Sequence, residues 1–280
     1  MITVRKTIRL AALALTLAAG LAQAQGYPNR PVKIVVPFAS GGPADNYARF
    51  MAQRLSEELK QSFVIDNKPG AGSIIGTDLV AKAPADGYTL LMMSNTHTVN
   101  ESLIPTKPFA LMKDFVGIAP VNYSALLLVV HPSVPARTVG ELVALAKARP
   151  GKINYASSGN GTPYHMAGEL FKYMAGIDMT HIPYKGSSGA RTDIVGGQVD
   201  VMFDAETTMA VMAREGKVRA LASTGLTRSA NLPDMPTVSE SGVPKFEATI
   251  WLGLMAPKGT PTEIVNRLNA EVRKIVNHPE

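Results

Sequence analysis

FVGIAPV (115–121) and ALLLVV (125–130) stand three residues apart near the middle of the chain. Each is an apolar run of strand length. Two short strands so nearly contiguous are what a chain needs to cross from one sheet to a second. The spacing predicts a split near residue 124 and a return crossover near 240–250. Strand number agrees, because ten or so strands in one open sheet would be uncommon.

Along the rest of the chain, short apolar runs alternate with amphipathic stretches. VKIVV (32–36) reads as a buried strand. In ADNYARFMAQRLSEELK (44–60), Tyr47, Met51, Leu55 and Leu59 recur at i, i+4, one face of a helix. SFVIDN, SIIGTDLVAKA and YTLLMM repeat strand, helix, strand. TVGELVALAKA (138–148) carries a capping-box pattern, Thr138 with Glu141, and ends at Pro150 and Gly151. Strands KINYAS, MTHIPY, VDVMF and VRALAS follow, with helices PYHMAGELFKYMAG, ARTDIVGG and a stretch around 207–215 between them. This alternation argues for parallel sheets covered by helices on both faces. The loop LTRSANLPDMP (226–236) is the one compositional break.

The first residues read as an export signal. Arg5, Lys6 and Arg9 precede LAALALTLAAGLA, and Ala22-Gln23-Ala24 is a small-x-small cleavage pattern. The apolar run is too short to span a bilayer. Cleavage after Ala24 is expected, leaving about 256 of the 280 residues. Removing Arg5, Lys6 and Arg9 takes the formal charge from +6 to +3. That balance does not argue for nucleic acid, and no basic run with interleaved aromatics occurs. It mildly suits anions. The chain has no cysteine, which fits a periplasmic protein that relies on its core. No second segment could cross a membrane.

In open α/β sheets ligands bind beyond the carboxyl ends of strands, where helices begin. Five such loops are rich in Gly, Ser, Thr and Asn: FASGGPAD (38–45), SNTHTVN (94–100), SSGNGTPYH (157–165), YKGSSGA (184–190) and DAETTMA (204–210). A helix start presents unpaired N–H groups and a partial positive charge. Glycine lets the backbone approach an anion, and hydroxyl or amide side chains add donors. Any one loop also reads as an ordinary cap. Five together point to an anion site built with little arginine.

Single residues carry two readings each. Asp45 either offsets its helix dipole or orients the loop and meets an amino group on the ligand. Lys185, the only cation in the five loops, is an anion contact or a solvated side chain. His97 and His165 are ligand donors or packed histidines. Asp204 braces a loop or acts as an acid. No G-x-S-x-G, H-E-x-x-H, S-x-x-K or Walker A pattern occurs. GAGSIIG (70–76) misses the dinucleotide fingerprint by one position at its last glycine. The histidines are too scattered for zinc. No catalytic residue, metal or cofactor is expected.

Longer segments carry a family likeness: YPNRPVKIVVPFASGGPAD, VIDNKPGAGSIIGTDLVAKAPADGYTLL, PGKINYASSGNGTPYHMAGELFKYMAG, HIPYKGSSGARTDIVGGQVDVMFD and NLPDMPTVSESGVPKFE. In this order they resemble the Bug-type solute-binding proteins of tripartite tricarboxylate transporters, from Tyr27-Pro28 nearly to the C-terminus. The resemblance implies an α/β, two-domain, type II periplasmic-binding-protein fold. Each domain is a mostly parallel sheet flanked by helices, with the ligand cleft between them. The implied division is a signal peptide (1–24), a discontinuous first domain (25–124 plus 247–280) and a second domain (125–246).

The resemblance also implies the site. Phe38, Ser40, Gly41, Gly42 and Asp45 become first-domain contacts to a small organic carboxylate. Gly159, Asn160, Gly161 and Thr162 become their second-domain counterparts. Tyr184, Lys185, Gly186, Ser187, Asp204 and Ala205 are further candidates, and Ser94, Asn95, Thr96 and His97 would shape specificity at the far end. The implied partners are membrane permease subunits, and a periplasmic monomer is expected. Three departures stand out. Ser40 replaces a proline that the family usually has before the glycines, which adds a donor and removes a rigid ring. Glu206 adds negative charge near the cleft and argues against a tricarboxylate. Family members continue past the equivalent of NHPE, which implies a C-terminal truncation in the first domain. The rival readings are an exported enzyme using His165 or Asp204, and a ligand sensor on the same scaffold.

Overall fold

The computed structural model describes residues 26–278, so the predicted signal segment lies outside the described residues. In chain order, β1 (Val32–Val36) leads to α1 (Pro43–Leu59), β2 (Phe63–Asn67), a short 3-10 turn (Ala71–Ser73), α2 (Ile74–Ala81), β3 (Thr89–Ser94), α3 (Asn95–Leu103) and α4 (Leu111–Asp114). Next come β4 (Phe115–Val130), α5 (Val139–Ala148), β5 (Asn154–Ser157), α6 (Pro163–Ala175), β6 (Thr180–Pro183) and α7 (Ser187–Val195). The chain closes with β7 (Val201–Ala205), α8 (Glu206–Arg214), β8 (Arg219–Ser223), β9 (Thr249–Pro257) and α9 (Thr262–Val276).

The fold is α/β, with helices flanking a mixed sheet in the order β2-β1-β3-β9-β4-β7-β5-β6, and β8 also pairing β4. Pairing is parallel in β2-β1-β3 and in β6-β5-β7. It is antiparallel wherever β4 or β9 takes part.

The two strands expected at 115–121 and 125–130 are one 16-residue strand. The gap residues keep pairing: Asn122 opposite Leu252, Tyr123 opposite Trp251, Ser124 opposite Ile250. Register shifts between Gly117 and Ala119 and between Pro120 and Asn122 take up the bend. Pro120 has no N–H to give to the ladder, which suits it to such an irregular position. Beyond Ala125 the same strand changes partners and pairs β7 and β8.

Packing follows that change of partner. Ile118 and Ala119 join the core built with β1, α1 and α9, and Phe115 joins the opposite face with Leu91 and Met255. Further along, Leu126, Leu128 and Val130 enter a core with α5, α6 and Phe246. Leu127 and Val129 enter the core on the other face, with α7 and α8. ALLLVV is continuously apolar because both faces of the strand are buried. Each fully buried Leu contributes about 1.5–3 kcal/mol, and a one-residue slip would exchange the two sets.

Helix α1 buries Met51, Leu55 and Leu59 as the spacing predicts, with Ala44, Ala48 and Ala52 between them and Tyr47 at the margin. Its start, like those of α3, α6 and α7, follows the carboxyl end of a strand on one side of the sheet. Those four starts delimit the cleft.

Candidate functional site

The first lip of the cleft is the turn between β1 and α1. Gly42 caps α1 without any side-chain hydrogen bond, and Pro43 opens the helix. Asp45 ties this turn together. Its carboxylate accepts from Gly41 N–H (2.9 Å), Arg49 Nε (2.9 Å) and Asn67 Nδ2 (2.9 Å), while Asn67 also donates to the Phe38 carbonyl (3.2 Å). Burial alone would raise the Asp45 pKa. The hydrogen bonds from Arg49, Gly41 and Asn67, with the Arg49 charge, hold it below the usual carboxylate value. Asp45 therefore works as the brace of the loop.

Beside this turn sits the start of α3. Ser94 accepts from Thr96 N–H (3.2 Å), and the His97 Nδ1 accepts from Ser94 N–H (3.1 Å), completing a capping box. The Thr77 hydroxyl proton goes to the Ser73 carbonyl, so His97 Nε2 must donate to Thr77 Oγ1 (3.0 Å). Burial pushes the His97 pKa down to about 4. His97 is thus a neutral, buried cap with its ring edge-on to Phe38. Asn95 donates to the Thr249 carbonyl of β9 (2.9 Å). Thr96 lines the cleft, and its buried hydroxyl has no hydrogen-bond partner.

Opposite lies the loop 157–162. Thr162 caps α6, accepting from His165 N–H and donating to the Gly159 carbonyl (2.7 Å). Ser157 Oγ accepts from Gly159 N–H (3.1 Å). Gly161 adopts φ +73°, and a Cβ there would come within 3.1 Å of Leu103. Next to it Gly186 caps α7 with no side-chain bond. Tyr164 reaches in from α6; its buried hydroxyl, near Asp204 and Ser187, makes no well-formed hydrogen bond.

Between the lips runs a slot of about 370 Å³, counting its mouth. Its first side is Phe38, Ala39, Gly42 to Ala44, Ser94 and Thr96; its second is Ser158, Thr162 to Tyr164, Gly186 and Ser187. Ile250 and Leu252 of β9 form an apolar end. A wider space, about 1080 Å³ with the open solvent at its mouth, adjoins it at Phe38, Ser158 and Thr162. That space is bounded by Gly70 to Ser73, Gly159, Asn160, Tyr184 and Lys185. Four helix starts, two of them without side-chain caps, thus surround one slot. Their dipoles place positive potential where four sets of N–H groups meet.

The structure gathers most of the expected residues around these two spaces, with instructive exceptions. Ser40 and Gly41 sit exposed on the rim, and their carbonyls accept from Ser188 Oγ (2.9 Å) and Arg191 Nη1 (3.1 Å) across the cleft. Asp204 is fully buried and bound by Arg191 Nε (2.6 Å), Arg191 Nη2 (3.1 Å) and Ala205 N–H (2.7 Å). Ala205 is buried behind the slot as the cap of α8. Tyr184 bounds the wider space, but its hydroxyl is committed to Asp193 (2.5 Å). Lys185 is exposed and makes no ion pair among the described residues. Glu206 is buried and turned to Ser229, away from the slot.

Sequence reading passed over Gly70 to Ser73, Arg191, Ile250 and Leu252. Arg191 falls one residue beyond the loop 184–190, inside the first turns of α7, a position that directs a long side chain back toward the helix start. The signal at 70–73 is a run of small residues before a helix, inside the same GAGSIIG stretch that misses the dinucleotide fingerprint. Among the described residues no cluster of His, Asp and Glu could hold a metal ion, and no helix is long and apolar enough to cross a membrane.

A mixed sheet crossed by two paired strands, with opposed helix starts around a slot, defines a solute-binding protein of the periplasmic-binding-protein fold. The chain belongs to the family described as the tripartite tricarboxylate transporter family receptor (TctC), whose pattern it matches over residues 47–280. It is 40% identical to protein BugT of Bordetella pertussis, over 90% of this chain and 78% of that protein. The solved structure of R. palustris Rpa4515 with adipate superposes with a TM-score of 0.86 at 40% identity, covering 88% of this chain and 83% of that one. MatC (Rpa3494) from Rhodopseudomonas palustris with bound malate gives a TM-score of 0.85 at 34% identity, covering 90% and 86%.

Proposed function

We propose that this protein is the periplasmic receptor of a tripartite tricarboxylate-type transporter, capturing a small organic carboxylate and presenting it to membrane permease subunits. In this reading residues 1–24 are a cleaved signal peptide, and the mature protein is a monomer that breaks no bond in its ligand. Two domains, 25–124 plus 247–280 and 125–246, close about β4 and β9. The carrying observation is the ring of four helix starts around one slot, lined by the unpartnered buried hydroxyls of Thr96 and Tyr164. A buried hydroxyl without a partner costs free energy, and a bound polar group removes that cost.

Ligand contacts made from both lips would populate the closed state. Charge-assisted hydrogen bonds contribute about 1.5–3 kcal/mol each. Four or five, after the ordering cost, reach about −8 kcal/mol, a micromolar affinity. The apolar end at Ile250 and Leu252 and the free ammonium of Lys185 suit a ligand with an aliphatic part and a second acidic group. The adipate and malate held by two relatives are acids of that kind.

The test is native mass spectrometry of the purified protein, then calorimetric titration with mono-, di- and tricarboxylates. Micromolar binding of a dicarboxylate, recovered unchanged, is expected. Conversion of the bound acid would overturn the receptor reading in favour of an enzyme. Retained uptake in a deletion strain would overturn the transport role.

A further inference from the structure

We propose that His165 and His181 form a neutral stacked pair that positions the binding loop 157–162, and that protonating the pair weakens ligand capture. The proposal rests on the capture site described above and adds a regulation that its lining residues do not supply.

His165 stands in the first turn of α6, and its Nδ1 lies 3.1 Å from the Gly161 nitrogen. A backbone N–H can only donate, so this Nδ1 must carry no proton. The imidazolium form, with both nitrogens protonated, cannot accept that bond. The same histidine's own N–H goes to Thr162 Oγ1, which in turn donates to the Gly159 carbonyl. His165 thus holds Gly161 through its ring and Thr162 through its backbone, and Thr162 carries the tie on to Gly159.

A second hook comes from β6. His181 Nε2 lies 2.6 Å from Ser157 Oγ, and that oxygen also accepts from Gly159 N–H (3.1 Å). The two imidazoles stack with centroids 4.1 Å apart and planes 27° apart. His181 stacks in turn on Tyr155, at 4.8 Å and 24°. The column therefore links the loop's hydrogen bonds to the floor of β5.

Burial opposes an imidazolium in the column, and the facing charges are divided: Glu169 favours it and Lys172 opposes it. From α6 come Glu169 and Lys172. Glu169 is already bound by the Tyr155 hydroxyl (2.5 Å) and by Lys172 Nζ (2.9 and 3.2 Å). Lys172 adds a positive charge, and each ring would repel the other if charged. From β5, Tyr155 stacks on His181 and Ser157 bonds it, and neither carries charge at neutral pH. Burial accordingly holds the His165 pKa below its ordinary value, and burial with the neighbouring His165 pushes His181 down to about 4.

The sign follows. The neutral form braces Gly161, so capture is complete at neutral pH. It declines as pH falls through the lowered folded-state values, which lie below the ordinary 6.5 and, for His181, at about 4. Neither histidine lines the slot, so both are positioning residues.

The experiment is calorimetric titration of the purified protein with adipate and with malate between pH 7.5 and 3.5, on the wild type, His165→Asn and His165→Phe. The Asn carbonyl oxygen takes the place of Nδ1 and does not titrate in this range. Expected are wild-type-like binding of His165→Asn at pH 7.5, and weaker binding of His165→Phe at every pH. The ratio of wild-type to His165→Asn dissociation constants should rise about tenfold per pH unit below the His165 pKa. Titration of the acids themselves cancels in that ratio. Identical pH profiles for wild type and His165→Asn would overturn the proposal. If neither acid binds at any pH, the capture reading fails, and the Gly161 amide still decides this one. Its nitrogen–proton NMR signal should titrate in the wild type and stay still in His165→Asn. A signal that does not move in the wild type overturns the pairing.

Discussion

At the scale of single residues, Asp45 concentrates the most structure in the fewest atoms. Three donors from three places in the chain meet on one buried carboxylate, and two of them hold the turn that forms the first lip. The folded-state pKa is depressed. Asp45 therefore adds stability that is present above the unfolded-state value, about 3.9, and is lost as pH falls through the folded value. Asp45→Asn should lower unfolding free energy at pH 7 by about 2–3 kcal/mol, because the lost bonds are charge-assisted. In urea denaturation the gap between wild type and variant should be smaller at pH 3 than at pH 7, because below about 3.9 the unfolded chain already takes up the proton that the folded carboxylate resists. A gap of equal size at both pH values would show that the charge is not what matters.

At the scale of elements, the helix starts were legible because their chemistry is local. Thr138, Thr162 and Ser94 announce caps within three residues of their targets, and Gly41, Gly42 and Gly186 mark turns that only the backbone must satisfy. What was not legible depends on partners far along the chain. The role of His97 is set by Thr77, from another helix. The continuity of β4 is set by β9, more than a hundred residues later. Arg191 looks like a surface residue of α7 until Asp204 and Gly41 are placed beside it. Gly186 makes the point testable. It adopts φ +152°, and a Cβ there would lie 2.7 Å from the Cβ of Ala39 on the facing lip. Gly186→Ala should prevent the lips from meeting, abolish the ligand-induced thermal shift and weaken binding at least tenfold. Gly176→Ala is the control, since that position also has positive φ (+60°) but nothing within 4 Å of an added Cβ. It should cost about 1 kcal/mol of stability and leave affinity unchanged. Wild-type affinity in Gly186→Ala would mean that the lips need not touch for capture.

At the scale of the whole molecule, side-chain hydrogen bonds join the two sides of the cleft. Ser188 Oγ on the Ser40 carbonyl and Arg191 Nη1 on the Gly41 carbonyl reach from α7 to the opposite rim. Arg191 is suited to this because Asp204 fixes its guanidinium from behind through two hydrogen bonds, leaving Nη1 directed outward. The lip thus carries a preset latch whose anchor lies wholly on one side. Arg191→Gln alone would strand a buried carboxylate, a loss of about 3–5 kcal/mol, and would report on folding instead of closure. The double variant Arg191→Gln with Asp204→Asn removes the latch without leaving a charge behind. It should melt within a few degrees of the wild type. Ligand-free, it should scatter X-rays with a larger radius of gyration, because the open form loses less when no bond to Gly41 is at stake. Affinity for the best-binding carboxylate should fall about tenfold, the low end for one charge-assisted bond, since this one lies at the solvent-exposed rim. An unchanged radius together with an unchanged dissociation constant would remove Arg191 from the closing mechanism and leave the ligand itself as what bridges the two lips.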